Sequence, residues 1–227
     1  MIEGLRAEVT DHGYWIVANV LGVDETEALR SAVETLPRGR AGTRDVLNHP
    51  DVRRLAADPR LAGLAKTFLT RPAIPFKATL FDKSADSNWL VTWHQDLALP
   101  IRRQVDAPDW GPWTEKGGRL HAIAPAAALQ SVIALRVHLD DSFAENGPLR
   151  VLPGTHRLGR IPDDRIAVLA RETDPAECLV HAGGVIAMRP LLLHASSKST
   201  TAAPRRVIHI EYACETMFDG GIELDVA

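Results

Sequence analysis

The chain has 227 residues, 45% of them hydrophobic and 24% charged, with a formal net charge of −3, enough apolar material for one large domain with a real core. Acids and bases are mixed along it, with no basic tract to follow a nucleic-acid backbone and no acidic tail to keep it disordered. No run approaches the roughly 18 apolar residues of a membrane span. The opening MIEGLRAEVTDHGYWIV lacks the apolar stretch of a signal peptide. Cys178 and Cys214 are too few for a disulfide framework, so a reducing cytoplasm is the expected setting, with a single bridge between them left open.

In chain order, Gly13 to Val20 (GYWIVANV) predicts a short strand. Asp24 followed by Glu27 has capping-box spacing and predicts a helix through ETEALRSAVETL. Pro50 after His49 and Pro59 after Asp58 predict two more helix starts, because proline is at home in the first helical position. The second opens PRLAGLAKTFL. From Ile74 the texture changes to short apolar or alternating runs: IPFKATLF, NWLVTWH, LQSVIALRVHL, PLRVL, ECLVH, GVIAMRPLLL and RRVIHIEYA. Separated by Gly, Pro and Asn turns, they predict a sandwich or barrel of about eight strands, with ENGP as a hairpin-like connection. Pro100 to Leu129 is rich in Pro, Gly and Trp and poorly periodic, which predicts a long functional loop. The expected fold class is therefore mainly β with an N-terminal helical layer (α+β). Residues 1–227 are read as a single domain, with helices over 1–73 packed on a β core over 74–227 and an active-site loop at 100–129.

Three pairs place a histidine and an acid two residues apart: His94 and Asp96 in WHQDL, His138 and Asp140, and His209 and Glu211. On a strand such residues point to one face. Two histidines and one carboxylate on one face of an ion leave the opposite face open, which suits non-haem iron(II) and oxygen chemistry. Position separates the pairs. A strand precedes His94 and several follow, whereas nothing follows the strand of His209 to complete a site. His194 ends VIAMRPLLLH, where a penultimate strand would end. Arg205 follows eleven residues later and shares a strand face with Val207, His209 and Glu211. The other face, with Ile208, Ile210 and Tyr212, suits the helical layer, so Arg205 points inward. Its fork fits a carboxylate ligand; an internal Glu or Asp is the alternative partner.

Lys77, Thr79 and Lys83 share one strand face, read as a surface-facing polar edge with contact to a ligand as the alternative. Arg136, His138 and Asp140 share another, read as a polar cluster inside or at the mouth of the barrel. Arg44 lies in the loop-like RGRAGTRDVL, placed to cover a site entrance. Trp110 and Trp113 in DWGPWTEKGG either line a lid over the substrate or anchor their loop. Trp89 and Trp93 fall on the face opposite His94 and Asp96, which makes Trp93 core packing. Gln95 points away from the metal toward a neighbouring strand. His156 in PGTH holds a turn.

With these segments in this order the chain resembles the phytanoyl-CoA dioxygenase family. The resemblance is carried by LFDKSADSNWLVTWHQDLALP, HLDDSFAENGPLRVLPGTHRLG and RPLLLHASSKSTTAAPRRVIHIEYA, and extends to the opening GYWIVANVLGVDETEALRSAV. It implies a double-stranded β-helix (jelly-roll, cupin-like) core and a dioxygenase that uses iron(II), 2-oxoglutarate and O2. It implies that His94, Asp96 and His194 ligate the iron, that Arg205 binds the distal carboxylate of 2-oxoglutarate, and that the Ser196 hydroxyl assists. Arg136 and Thr79 are further candidate co-substrate contacts, and Arg44, Lys83, Trp110 and Trp113 candidate substrate contacts. The intact Asp96 argues against halogenating variants of this chemistry. The implied reaction hydroxylates a C–H of a small-molecule substrate with release of succinate and CO2, and needs neither nucleic acid nor membrane. A cupin-like oxygenase or isomerase without 2-oxoglutarate would have no use for Arg205. A non-catalytic jelly-roll binding module would have no reason to keep all four residues.

Overall fold

A computed structural model describes residues 2–37, 42–84 and 87–226. Its first part contains α1 (Ile2–His12), β1 (Tyr14–Val17), α2 (Val23–Glu34), α3 (Pro50–Ala56) and α4 (Pro59–Leu69). Both proline starts lie where expected: His49 Nδ1 and Asp58 Oδ1 accept from the backbone N–H of Asp51 (3.3 Å) and Arg60 (2.8 Å), satisfying otherwise orphaned donors. The cap of α2 is shifted from the expected Asp24–Glu27 pair. The helix already begins at Val23, so Glu25 reaches back to the Gly22 N–H at 2.8 Å, and Glu27 pairs with Arg30 at 2.6 Å.

The remainder is β-rich: β2 (Ile74–Lys83), β3 (Val91–His94), β4 (Ala98–Pro100), β5 (Trp113–Lys116), β6 (Arg119–Ile123), α5 (Ala126–Leu129), β7 (Val132–His138), β8 (Leu149–Val151), α6 (Asp163–Glu172), β9 (Ala176–Cys178), β10 (Val185–Met188), β11 (His194–Ser196), β12 (Arg205–Ala213), β13 (Met217–Phe218) and β14 (Ile222–Glu223). Two antiparallel sheets form the jelly roll. The larger runs β1-β10-β7-β12-β2 and the smaller β3-β11-β8-β9. The outer face of the larger sheet carries Leu135, Ile208, Ile210 and Tyr212, which join Val52, Leu61 and Phe68 of the helices in one buried cluster. Each such side chain contributes about 1.5–3 kcal/mol by burial. Tyr212 also donates its hydroxyl to Ala56 O at 2.9 Å. Between the sheets, Ile186 and Met188 meet Leu149, Val151 and Leu192. This packing turns the alternate residues of β12, Arg205 and His209 among them, toward the interior.

The fold departs from the sequence expectations in four places. Residues 100–129 are not one long loop: they hold β5, β6 and α5, and β4-β6-β5 forms a third sheet over a second core containing Leu99, Trp110 and Leu129. The ENGP stretch is not a hairpin turn, because β7 belongs to the larger sheet and β8 to the smaller; Gly147, at φ 67°, makes the crossing. His194 opens β11 instead of ending the run before it, since a turn closed by Leu192 N–H to Arg189 O (3.0 Å) separates it from β10. The strand count reaches fourteen among the described residues, because several strands have only two or three residues. Both cysteines are free. Among the described residues no helix is long and apolar enough to cross a membrane.

Candidate metal centre

β3 and β11 pair so that His94 stands opposite His194, with ring centroids 4.2 Å apart. Asp96 lies just past the end of β3, tied by its N–H to Pro190 O at 2.9 Å. Its Oδ1 is 3.7 Å from His94 Nε2 and its Oδ2 3.5 Å from His194 Nε2. One donor atom from each residue lies within 4.8 Å of the others. Each imidazole spends its Nδ1–H on a carbonyl two residues back, Thr92 O at 2.8 Å for His94 and Leu192 O at 2.9 Å for His194. A carbonyl can only accept, so both Nε2 lone pairs are left to face the carboxylate, as metal ligation requires. Burial lowers the His194 pKa to about 4, with Asp96 opposing. Burial would raise that of Asp96, but His194, His209, His94 and Lys77 together hold it below the usual carboxylate range. A neutral His194 and an ionised carboxylate are the states that bind a divalent cation.

The trio opens on a cavity of about 410 Å³ between the sheets. Across β2 and β12, Lys83 is opposite Arg205 and Thr79 opposite His209; across β12 and β7, His209 is opposite Arg136. Lys83 Nζ donates to Ser196 Oγ at 2.7 Å and to Ser197 O. Arg205 donates through one terminal nitrogen to Ser196 Oγ (3.3 Å) and through Nε to Asn146 O (3.2 Å), while its other terminal nitrogen is buried without a partner. Ser196 in turn donates to Gly147 O at 2.8 Å. Arg136 holds His209 Nδ1 at 3.0 Å and keeps an unpartnered buried Nε. Burial, then neighbouring cations, lowers Lys83 to about 7 and Arg205 to about 9; burial lowers Arg136 to about 10. Among the described residues no carboxylate pairs with any of the three, so the internal acid considered for Arg205 is absent. Buried donors of this kind need an anion.

Lys77, Thr79 and Lys83 line this cavity and do not form a surface edge: the inner face of β2 is polar because the space it meets is polar. Phe81 stands in the same row and was legible from the same alternation. Lys77 is paired with Glu211 at 2.6 Å. Asp140 leaves the face shared by Arg136 and His138, because β7 ends at His138. It pairs instead with Arg206 (2.8 Å) and Arg30 (3.1 Å). Trp110 and Trp113 do not reach the cavity and belong to the second core, Trp110 packing on Phe218 at 5.4 Å; anchoring is their role and the lid reading is corrected. Arg44 is exposed and outside the cavity lining, and residues 38–41 of its loop lie outside the described residues. Trp93 packs beside Leu152 and Leu193 as expected. Trp89 instead faces the cavity, 5.6 Å from Lys83 Nζ, because β3 begins only at Val91 and the alternation does not extend back to it. His156 ties its turn to Thr10 O at 3.1 Å.

A family model for phytanoyl-CoA dioxygenase (PhyH) matches residues 9–207. The chain belongs to the phytanoyl-CoA dioxygenase family. It is the family that the motifs of the sequence resemble. L-proline trans-4-hydroxylase from Streptomyces griseoviridis is 29% identical over 185 residues, covering 70% of this chain and 61% of that protein; the chain thus spans about three-fifths of the length of this relative. Among solved structures, AviO1 from Streptomyces viridochromogenes Tue57 superposes with a TM-score of 0.70 at 23% identity, covering 94% of this chain and 95% of that one. EctD from S. alaskensis, solved with 2-oxoglutarate and 5-hydroxyectoine, gives 0.70 at 21% identity, over 92% and 74%. HygX from Streptomyces hygroscopicus, with nickel and 2-oxoglutarate bound, gives 0.66 at 20% identity, over 93% and 86%. At these identities the structural likeness establishes the jelly-roll fold.

Proposed function

We propose that residues 1–227 act as one oxygenase domain that hydroxylates an unactivated C–H of a small molecule, consuming 2-oxoglutarate and O2 and releasing succinate and CO2. The observation that carries this reading is the meeting of two groups in one cavity: the His94–Asp96–His194 trio, and a buried Arg205 with a free donor and no internal acid. The proline hydroxylation named for the S. griseoviridis relative and the 2-oxoglutarate bound in EctD and HygX point the same way.

In this reading His94 and His194 offer Nε2 and Asp96 a carboxylate oxygen to iron(II). When bound, iron(II) supplies the reduction of O2 that couples decarboxylation of 2-oxoglutarate to oxidation of the substrate. The chain's own residues bind and orient. The carbonyls of Thr92 and Leu192 fix both rings, so the ligand set is assembled before a cation arrives. Arg205 receives the distal carboxylate of 2-oxoglutarate, with Ser196 held beside it by Gly147 O and Lys83. Thr79 flanks the co-substrate from β2, opposite His209. The walls of Phe81, Trp89 and Leu149 exclude water from the reacting centre.

Anaerobic protein loaded with iron(II) and titrated with 2-oxoglutarate should develop the visible metal-to-ligand charge-transfer band of a chelated 2-oxo acid. Iron shown to be bound with no such band would overturn the assignment.

A further inference from the structure

The cavity holds more positive charge than the co-substrate accounts for. Glu211 neutralises Lys77, and Asp96 belongs to the metal trio. Lys83, Arg136 and Arg205 remain around one space, and among the described residues no carboxylate forms an ion pair with any of them; Asp96, which lines the same space and acts on Arg136 at longer range, is committed to the metal trio. The distal carboxylate of 2-oxoglutarate suits one end of this row, where Lys83 and Arg205 converge on Ser196 Oγ, and its other carboxylate is neutralised at the metal.

Arg136 has no part in that serine-centred group. It stands opposite His209, which lies four residues along β12 from Arg205, about 13 Å at the usual strand rise. Among the described residues its one side-chain hydrogen-bond partner is the His209 ring, which burial and then Arg136 keep well below the ordinary histidine pKa, hence uncharged. Its Nε is buried and unpartnered, and its guanidinium lies over the Phe81 ring at 5.2 Å. A buried cation is costly unless an anion answers it, and the metal and co-substrate supply none for Arg136.

We infer that the primary substrate is a small carboxylic acid whose carboxylate docks on Arg136, with its apolar part against Phe81. The size follows from the space: about 410 Å³ lies near the low end of the ~300–1,000 Å³ typical of ligand pockets, and the co-substrate shares it. The inference rests on the oxygenase reading and assigns its substrate class.

The test uses anaerobic iron(II)-loaded protein saturated with 2-oxoglutarate, with propionate and propionamide as probes of equal size that differ in charge. The charge-transfer band is read first; its absence strikes the oxygenase reading itself. With the band present, propionate should shift it without abolishing it, and propionamide should leave it unmoved. Arg136→Gln should weaken propionate roughly tenfold to hundredfold, the loss of a charge-assisted hydrogen bond, while the 2-oxoglutarate titration changes little. Arg136→Lys keeps the charge and should keep the preference for acid over amide, and circular dichroism checks that both variants fold. The inference is overturned if the amide matches the acid, if propionate acts only by displacing 2-oxoglutarate, if neither probe shifts the band, or if Arg136→Gln weakens 2-oxoglutarate as much as propionate.

Discussion

His94 and His194 occupy facing positions in the β3–β11 ladder with their rings 4.2 Å apart, and Asp96 closes the third side. Both Nε2 lone pairs turn toward one point that a cation would satisfy. Metal binding should therefore stabilise the fold, because it ties two strands of the smaller sheet to the segment beyond β3. At metal concentrations near a hundred times Kd the gain is about 2.7 kcal/mol, or roughly 5–10 °C in Tm for a chain of this size. Thermal melts with iron(II) or nickel(II), and with a chelator added afterwards, should show the shift and its reversal. His94→Ala, Asp96→Ala and His194→Ala should each lose both the shift and stoichiometric metal.

Arg205 is held along one side and free on the other. Asn146 O and Ser196 Oγ engage Nε and one terminal nitrogen, and the second terminal nitrogen has no partner. Arg205→Ala should weaken 2-oxoglutarate roughly tenfold to hundredfold, the worth of hydrogen bonds to a charged group, and leave iron content unchanged. Arg205→Lys should recover only part of this, because an ammonium cannot reproduce the planar fork. Equal loss of iron and 2-oxoglutarate in Arg205→Ala would refute a role confined to the co-substrate.

Lys83 gives the site a pH dependence with a definite sign. Burial, then Arg205, Arg136 and Arg150, lowers its pKa from 10.5 to about 7. Below about 7 the folded and unfolded chains both carry the proton. Between about 7 and 10.5 the unfolded chain holds a proton that the fold has released, so this group's contribution to stability rises with pH. Binding of a dianion favours the ammonium form, so 2-oxoglutarate affinity should run the other way, falling by up to about tenfold per unit as pH climbs above 7. Lys83→Met should flatten both profiles, measured by urea titrations and by 2-oxoglutarate titrations from pH 6 to 9. A wild-type affinity profile that is flat over that window would count against the assignment.

The sequence revealed the site better than its surroundings, for physical reasons. The proline helix starts and the two faces of β12 were legible because each rests on a short-range rule, helix capping or strand alternation. His94 and Asp96 do meet, but β3 ends at His94, so the Asp96 N–H bond to Pro190 O and not strand alternation holds the carboxylate there. The row Lys77, Thr79, Lys83 was read as outward because alternation separates polar from apolar faces and cannot tell solvent from a polar cavity. Residues 100–129 looked structureless because β4, β5 and β6 have only three to five residues each, too few for a period to show. Trp110 and Trp113 then lost their core, which is completed by Phe218 and Leu224 from a distant part of the chain.

Gln95 separates the two ligands of WHQDL, just past the end of β3, and its side chain is held by three backbone groups of other segments. It is buried, donates to Gly159 O (2.8 Å) and Leu191 O (2.6 Å), and accepts from Ile161 N–H at 2.8 Å. It thereby pins the chain between His94 and Asp96 to two other segments. Gln95→Leu would strand two buried backbone groups, Leu191 O and Ile161 N–H, each worth about 1–3 kcal/mol when unsatisfied, and the half-buried Gly159 O. It should lower unfolding stability in urea by at least about 2 kcal/mol and weaken metal binding about 10–100-fold, as loss of support behind ligands does. Gln95→Glu separates the polar role from shape. Protonated, it can donate to one carbonyl and accept from Ile161; ionised, it faces two carbonyls with no proton to give. Its folded pKa should therefore lie above the ordinary glutamate value of about 4.3, and stability should be lost as pH rises from there through the folded pKa. Urea unfolding of the Glu variant at pH 5 and pH 8 checks this: equal losses at the two pH values would mean that the contacts of Gln95 with Gly159 and Leu191 do not hold the ligand segment in place.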